Sequence, residues 1–240
     1  MPIWFQAIKG VSATQSGIDN LPSLVGLVIF AIIGGALASA IGYYTPILLI
    51  SSIITTIASG VLSTLHVDST IGYWFGYQVL LSAGVGIGAQ NVMLVAQVAV
   101  PAEEMAMVTS ILFFTQTLSS AIILAVGQSV FQNRLIANLQ SVVPDLGTIS
   151  VSETGATGFR DNFPAAQLPL ALQAYNEALV QTFYVAVVTS GLSILGPIFM
   201  EWLSIKSKDQ PKTKDEETAR SSFEVTPPGS DTDVHNRPGT

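Results

Sequence analysis

The chain has 240 residues, of which 49% are hydrophobic and only 10% are charged, and its formal net charge is -7. This composition excludes an ordinary soluble domain, in which about a quarter of the residues are charged. No basic patch is present, which argues against nucleic acid as a partner. Because the chain has no cysteine and only two isolated histidines, His66 and His235, we expect no metal site and no cofactor.

The first residues form an apolar stretch that ends at Lys9. This stretch is too short to cross a bilayer, since a hydrocarbon core of about 30 Å requires about 20 helical residues. We interpret it as the last turns of a helix whose beginning is missing, and we expect the chain to be a fragment.

Long stretches without Asp, Glu, Lys or Arg follow, at residues 21–65, 69–102, 105–133 and 178–200. Each is long enough to cross a bilayer, and the first is divided by a turn from Gly42 to Pro46. The sequence therefore predicts an all-α integral membrane protein whose helical bundle occupies residues 1–204. We place its five transmembrane helices at residues 21–41, 46–65, 72–97, 107–129 and 181–202.

Two segments of the chain are predicted to lie outside the bilayer. Residues 132–180 mix Gly, Pro, Ser and Thr with scattered charges, so we predict an outside loop. Residues 205–240 contain too few apolar side chains to fold alone, so we predict a disordered tail. The lysines at the start of this tail favour a cytoplasmic C-terminus, because Lys and Arg near span ends are enriched on that side.

Several amides occur inside the predicted spans, where an unpaired amide in hydrocarbon costs several kcal/mol. They must therefore face other helices, the interface or a cavity. As candidates for lining a path through the protein we name Gln78, Gln90, Asn91, Gln97 and Gln116. The alternative is that these amides only join neighbouring helices by hydrogen bonds.

Glycines recur in the third span as Gly84, Gly86 and Gly88, directly before Gln90 and Asn91. Glycine lets helix backbones approach closely, so these residues are candidates for packing or for a thin wall beside polar groups. No span has an acidic residue at its centre. The carboxylate expected in a proton-driven carrier would have to be Asp19 at the outer rim, for which the alternative role is a helix cap.

Residues 35–44 resemble the signature of the major facilitator superfamily (MFS), written G-x-L-a-D-r-x-G-r-k. Gly35, Leu37 and Gly42 match that pattern. The acidic position of the signature is Ser39 here, and its basic positions are Ala40, Tyr43 and Tyr44, so this chain lacks the charges of the signature. Further stretches resemble fungal members of the fourteen-span drug:proton antiporter branch, which includes toxin and multidrug efflux pumps: residues 2–10 with 16–19, 41–46, 76–78 with 84–88, and 114–117 with 127–131.

This resemblance implies the C-terminal half of a major facilitator fold in the plasma membrane. It implies export of small, largely apolar compounds by proton antiport with alternating access. The expected partners are the lipid bilayer, the exported compound, protons and a missing N-terminal half. The alternative is a non-transporting remnant, or an accessory membrane half that needs a partner half. We expect that the chain is not an enzyme, because its sequence shows no nucleophile–base pair, phosphate-binding loop or metal-ligand spacing.

Overall fold

A computed structural model of the chain describes residues 1–142, 159–160 and 163–199, without the side chains of residues 97–99. The chain divides into two units, Met1–Ile205 and Lys206–Thr240, and every described residue belongs to the first. The tail predicted at 205–240 therefore lies outside the described residues.

The described residues are helical and contain no β-strand. A π-helical turn at Phe5–Lys9 follows the first helix, and a 3-10 turn at Ala102–Glu104 precedes the sixth. The helices are α1 (Pro2–Trp4), α2 (Ala13–Asp19), α3 (Leu21–Ile41), α4 (Thr45–Leu62), α5 (Ile71–Ala99), α6 (Met105–Val142), α7 (Leu168–Ser193) and α8 (Leu195–Phe199).

Five helical segments in the described part are long and apolar enough to cross a membrane. They are Ala13–Ile41, Thr45–Leu62, Ile71–Ala96, Ala102–Val142 and Leu168–Phe199. The predicted fold class, an all-α membrane protein with about five transmembrane helices, is confirmed.

Helical structure also enters the range 132–180, which the sequence predicts to be an outside loop. Helix α6 continues to Val142 and α7 begins at Leu168, while 143–158 and 161–162 lie outside the described residues. The position of this range relative to the bilayer stays a prediction.

The limits of α3 follow from its local sequence. Pro22 occupies the first turn, where its missing N–H costs nothing, and Gly42 ends the helix with a φ of 78°. Asp19 does not cap the helix with its side chain. Asn20 is the N-cap residue and makes no side-chain cap bond, whereas the Asp19 carboxylate accepts a hydrogen bond from Gln15 Nε2 at 2.9 Å.

Helix α5 packs along both α3 and α4, and α7 packs against α4 and α6. Helices α5 and α6, although consecutive in the chain, make little contact with each other. The bundle therefore consists of a tight group of α3, α4 and α5 and a pair of α6 and α7, joined through α4 and α7.

The largest buried cluster lies at the end of the bundle where the N-terminal residues meet α7. Trp4 is 1% exposed, and its Nε1 donates to Asn176 Oδ1 at 2.9 Å. The Asn176 amide nitrogen in turn donates to the Leu65 carbonyl oxygen at 2.9 Å, just beyond the end of α4. Lys9 Nζ donates to the carbonyl oxygens of Val67 and Ser69, each at 2.9 Å. These bonds fix the N-terminal residues to α7 and to the turn between α4 and α5.

Candidate functional site

A cavity of about 350 Å³ lies between α5 and α6. Helix α5 contributes Ala89, Val92 and Met93 to its wall. Helix α6 contributes Leu112, Phe113, Thr115, Gln116 and Ser119. The wall is apolar on the α5 side and carries an amide and two hydroxyl groups on the α6 side, and none of these lining residues is charged.

Of the predicted path residues whose side chains the structure describes, Gln116 alone lines this cavity. Its amide makes no hydrogen bond to another described residue, and its side chain is exposed. The amide is therefore free to bond a molecule that enters the cavity.

Gln90 lies on α5 and is also exposed, but it is not among the residues that line the α5–α6 cavity. Its side chain lies toward α3, since a Cβ atom added at Gly35 would be 3.6 Å from Gln90 Cγ. Gln97 belongs to α5 as well, but its side chain lies outside the described residues. The structure does not bring Gln90 into the cavity beside Gln116.

Gln78 and Asn91 join α5 to the α3 region, and both are buried. Ser23 Oγ donates to Gln78 Oε1 at 3.0 Å, and Gln78 Nε2 donates to the Asp19 carbonyl oxygen at 3.1 Å. Asn91 Nδ2 donates to the carbonyl oxygens of Ile87 at 2.7 Å and Gly34 at 3.3 Å. In this arrangement both amides bond neighbouring helices, and their role in a path stays a prediction.

The glycine cluster of α5 faces two neighbours. A Cβ atom at Gly84 would lie 2.7 Å from the Thr55 backbone nitrogen of α4, and one at Gly88 would meet Ser51 of the same helix. A Cβ atom at Gly86 would lie 2.7 Å from the Leu27 carbonyl oxygen of α3. The three glycines therefore let α5 approach α3 and α4 closely.

The residues that resemble the superfamily signature lie at the end of α3. Gly42 adopts the left-handed conformation that ends the helix, and Ser39 Oγ donates to the Gly35 carbonyl oxygen at 3.1 Å. Leu37 is 41% exposed. Ser39, which stands where the signature has an acid, thus bonds to its own helix.

A second cavity of about 340 Å³ lies between α6, α7 and the N-terminal residues. Gln128 and Phe131 of α6, Thr182 and Thr189 of α7, and Trp4 are among the residues that line it. The two threonine hydroxyls are already used, because Thr182 donates to the Ala178 carbonyl oxygen and Thr189 to that of Val185, each at 2.9 Å.

Sequence reasoning did not identify Thr115 and Ser119 as site residues. They lie four residues apart, so they share one helix face, and Gln116 lies beside them. That spacing could have indicated a polar face on this helix. The apolar half of the wall, with Met93 and Phe113, has no comparable signal because such residues are common throughout membrane helices.

The amino-acid sequence is similar to several fungal transport proteins. It is 45% identical over 208 residues to the MFS-type transporter astH of Aspergillus oryzae, covering 87% of this chain and 37% of that protein. It is 44% identical over 206 residues to the efflux pump roqT of Penicillium rubens, covering 86% of this chain and 38% of that protein. The MFS-type efflux pump elcC of Phaeosphaeria nodorum is 39% identical over 234 residues, covering 98% of this chain and 41% of that protein.

The chain thus spans about two fifths of the length of these relatives. No family model matches the chain, and no solved structure matches it. The five helices that are apolar enough to cross a membrane are consistent with the similarity to proteins named as transporters. The chain is a multi-pass membrane protein that belongs to the major facilitator superfamily.

Proposed function

We propose that the chain forms part of an exporter that moves small, largely apolar compounds across the plasma membrane. The observation that carries the proposal is the α5–α6 cavity, whose wall is mostly apolar and holds the unbonded Gln116 amide. Support comes from relatives that are named efflux pumps. Transport would proceed by alternating access, with the cavity open to one side at a time.

Proton exchange is part of the same proposal, and Asp19 is its candidate residue. The Asp19 carboxylate accepts a hydrogen bond from Gln15, while its backbone carbonyl accepts one from the buried Gln78 amide. A change in the position of Gln78 would therefore displace the Asp19 backbone and, with it, the carboxyl group. The C-terminal tail is proposed to lie in the cytoplasm.

The alternative proposal is a non-transporting remnant, or an accessory half that pairs with a separate N-terminal half. The observation that favours it is the coverage of the relatives, which extend well beyond the matched region. On this proposal the α5–α6 cavity would be only one wall of a path completed by the partner.

Replacing the residue that matches Gln116 with alanine in a full-length relative tests the transport role. We expect export of a neutral fluorescent compound to fall about 3- to 10-fold, because one hydrogen bond of about 1 kcal/mol to the compound is lost. The matched control is Gln128→Ala, which removes the same amide from α6 but at the other cavity. Drug accumulation in transporter-deficient cells measures both variants. Unchanged export in the Gln116 variant would remove this residue from the path.

The same assay separates the two proposals when the 240-residue chain is expressed alone. Restored export would rule out the remnant. Export that appears only when an N-terminal half is co-expressed would identify an accessory half.

A further inference from the structure

The two cavities differ in how their polar side chains are used. At the α6–α7 cavity, the Thr182 and Thr189 hydroxyls donate to carbonyl oxygens of their own helix. At the α5–α6 cavity, no side-chain hydrogen bond involves Thr115, Gln116 or Ser119 within the described part of the chain. The Gln128 amide is likewise unbonded within the described part of the chain, so the α6–α7 cavity offers one free polar side chain, whereas the α5–α6 cavity offers three on one wall.

Four of the eight Ser and Thr hydroxyls of α6 donate to a carbonyl oxygen of the helix, and within the described part of the chain the other four do not. Serine and threonine side chains in helices commonly bond the carbonyl oxygen four residues earlier. Ser110 and Thr117 do so, donating to the carbonyl oxygens of Ala106 and Phe113 at 2.8 Å each. An unbonded hydroxyl or amide in a membrane helix costs free energy unless another group bonds it. The three polar groups at the cavity are thus available to a molecule that enters it.

The chemistry of the wall defines that partner. None of the residues that line the cavity is charged, so an ion would lose its hydration without gaining a counter-charge. The ring of Phe113 and the thioether of Met93 favour contact with an aromatic molecule. A cavity of about 350 Å³ lies at the small end of the range for ligand sites, which is about 300–1,000 Å³.

We propose that the α5–α6 cavity binds a small, uncharged aromatic molecule that carries a hydroxyl or carbonyl group, held by Thr115, Gln116 and Ser119. The inference rests on the proposed function, because it names the substrate class of the same cavity. Hydroxyl groups both donate and accept, and the amide does so through separate atoms, so the site accepts either a hydroxyl or a carbonyl on the ligand. The aromatic body of the ligand would lie against Met93 and Phe113.

Photolabelling of the purified 240-residue chain in lipid nanodiscs tests this proposal. The probe is the benzyl alcohol of an aryl trifluoromethyl diazirine, which is uncharged, aromatic and carries one hydroxyl group. Its counterpart has a quaternary ammonium group in place of the hydroxyl. We expect the neutral probe to label α5 and α6 around Met93 and Phe113 at least 10-fold more than the cation, as mapped by mass spectrometry.

The decisive comparison is Thr115→Val against Thr117→Val. Both remove one hydroxyl at nearly constant volume from the same helix, but only Thr115 lines the cavity. We expect Thr115→Val to reduce labelling about 3- to 10-fold, since one hydrogen bond is worth about 1 kcal/mol, and Thr117→Val to leave it unchanged. Equal thermal unfolding midpoints of the two variants establish that both are folded.

Equal labelling of the two variants, equal labelling by neutral and cationic probes, or labelling spread over all helices would each overturn the proposal. No labelling at all would also overturn it and would indicate that a helix or a lipid covers the cavity. Failure of the proposed function can be distinguished from failure of the binding site. Specific labelling combined with unchanged export in the Gln116→Ala relative would keep the binding site and remove its role in transport.

Discussion

Asn176→Ala is expected to lower the free energy of unfolding by about 3 kcal/mol, because it leaves two buried groups without a partner. Asn176 is 5% exposed, and it accepts a hydrogen bond from Trp4 Nε1 while donating to the Leu65 carbonyl oxygen. Both Trp4 and Leu65 are almost fully buried. Alanine can replace neither bond, and each unsatisfied buried group costs about 1–3 kcal/mol.

The control for this variant is Asn138→Ala on α6. Asn138 is only partly buried, and among the described residues its side chain makes a single bond, from its Nδ2 to the Ala174 carbonyl oxygen at 3.2 Å. We expect it to cost about 1 kcal/mol or less. Unfolding in detergent by titration with SDS measures both. Equal stability of the two variants would show that the N-terminal residues are not held by Asn176.

Gly84→Ala is expected to destabilise the bundle by about 2–3 kcal/mol, because α4 leaves no room for a methyl group. A Cβ atom at this position would lie 2.7 Å from the Thr55 nitrogen and 2.9 Å from the Thr55 Cα. These are backbone atoms, so a side-chain rotation cannot relieve the clash. Helix α5 would have to move away from α4, and overpacking of this kind typically costs about 1–3 kcal/mol.

Gly76→Ala on the same helix is the matched control. Apart from the adjoining residues and backbone of its own helix, no described atom lies within 4 Å of a Cβ atom placed there. Glycine inside a helix is about 0.5–1 kcal/mol less favourable than alanine, so this variant should gain stability. The two substitutions are chemically identical and should shift the thermal unfolding midpoint in opposite directions. A shift in the same direction would contradict the close approach of α5 and α4.

The membrane fold is predictable from the sequence because charge is excluded from long stretches for a general physical reason. A charged side chain in hydrocarbon costs free energy wherever it lies along a span. A charge-free stretch such as residues 21–65 therefore indicates a membrane segment without any knowledge of the helices that pack beside it. The close approach at Gly84 to Gly88 was also predicted as one of two alternatives, since small residues act through their size alone.

The partners of polar groups could not be predicted in the same way. The sequence indicates that Gln78, Asn91 and Gln116 must be satisfied, but it does not tell which atom satisfies each of them. That depends on how α3 is aligned with α5. That alignment places Ser23 beside Gln78 and Gly34 beside Asn91. For Gln116 the deciding feature is the placement of α6 next to α5, which leaves this amide facing a cavity.

The N-terminal residues show the same limit. The sequence predicts residues 1–9 only as the end of a helix, because their apolar stretch is short and ends at a lysine. Their contact with α7 joins residues 172 positions apart, Trp4 and Asn176. Nothing in the local sequence around either residue indicates that pairing.

The most direct test of the central claim is the reactivity of a single cysteine placed at Gln116. The chain contains no cysteine, so Gln116→Cys provides its only thiol. Alkylation by a membrane-permeant maleimide is measured in vesicles, with and without a neutral compound that a full-length relative exports. If the α5–α6 cavity binds exported compounds, the compound should slow alkylation several-fold at Gln116→Cys and leave Gln128→Cys unaffected. Equal rates with and without the compound at Gln116→Cys would contradict the account.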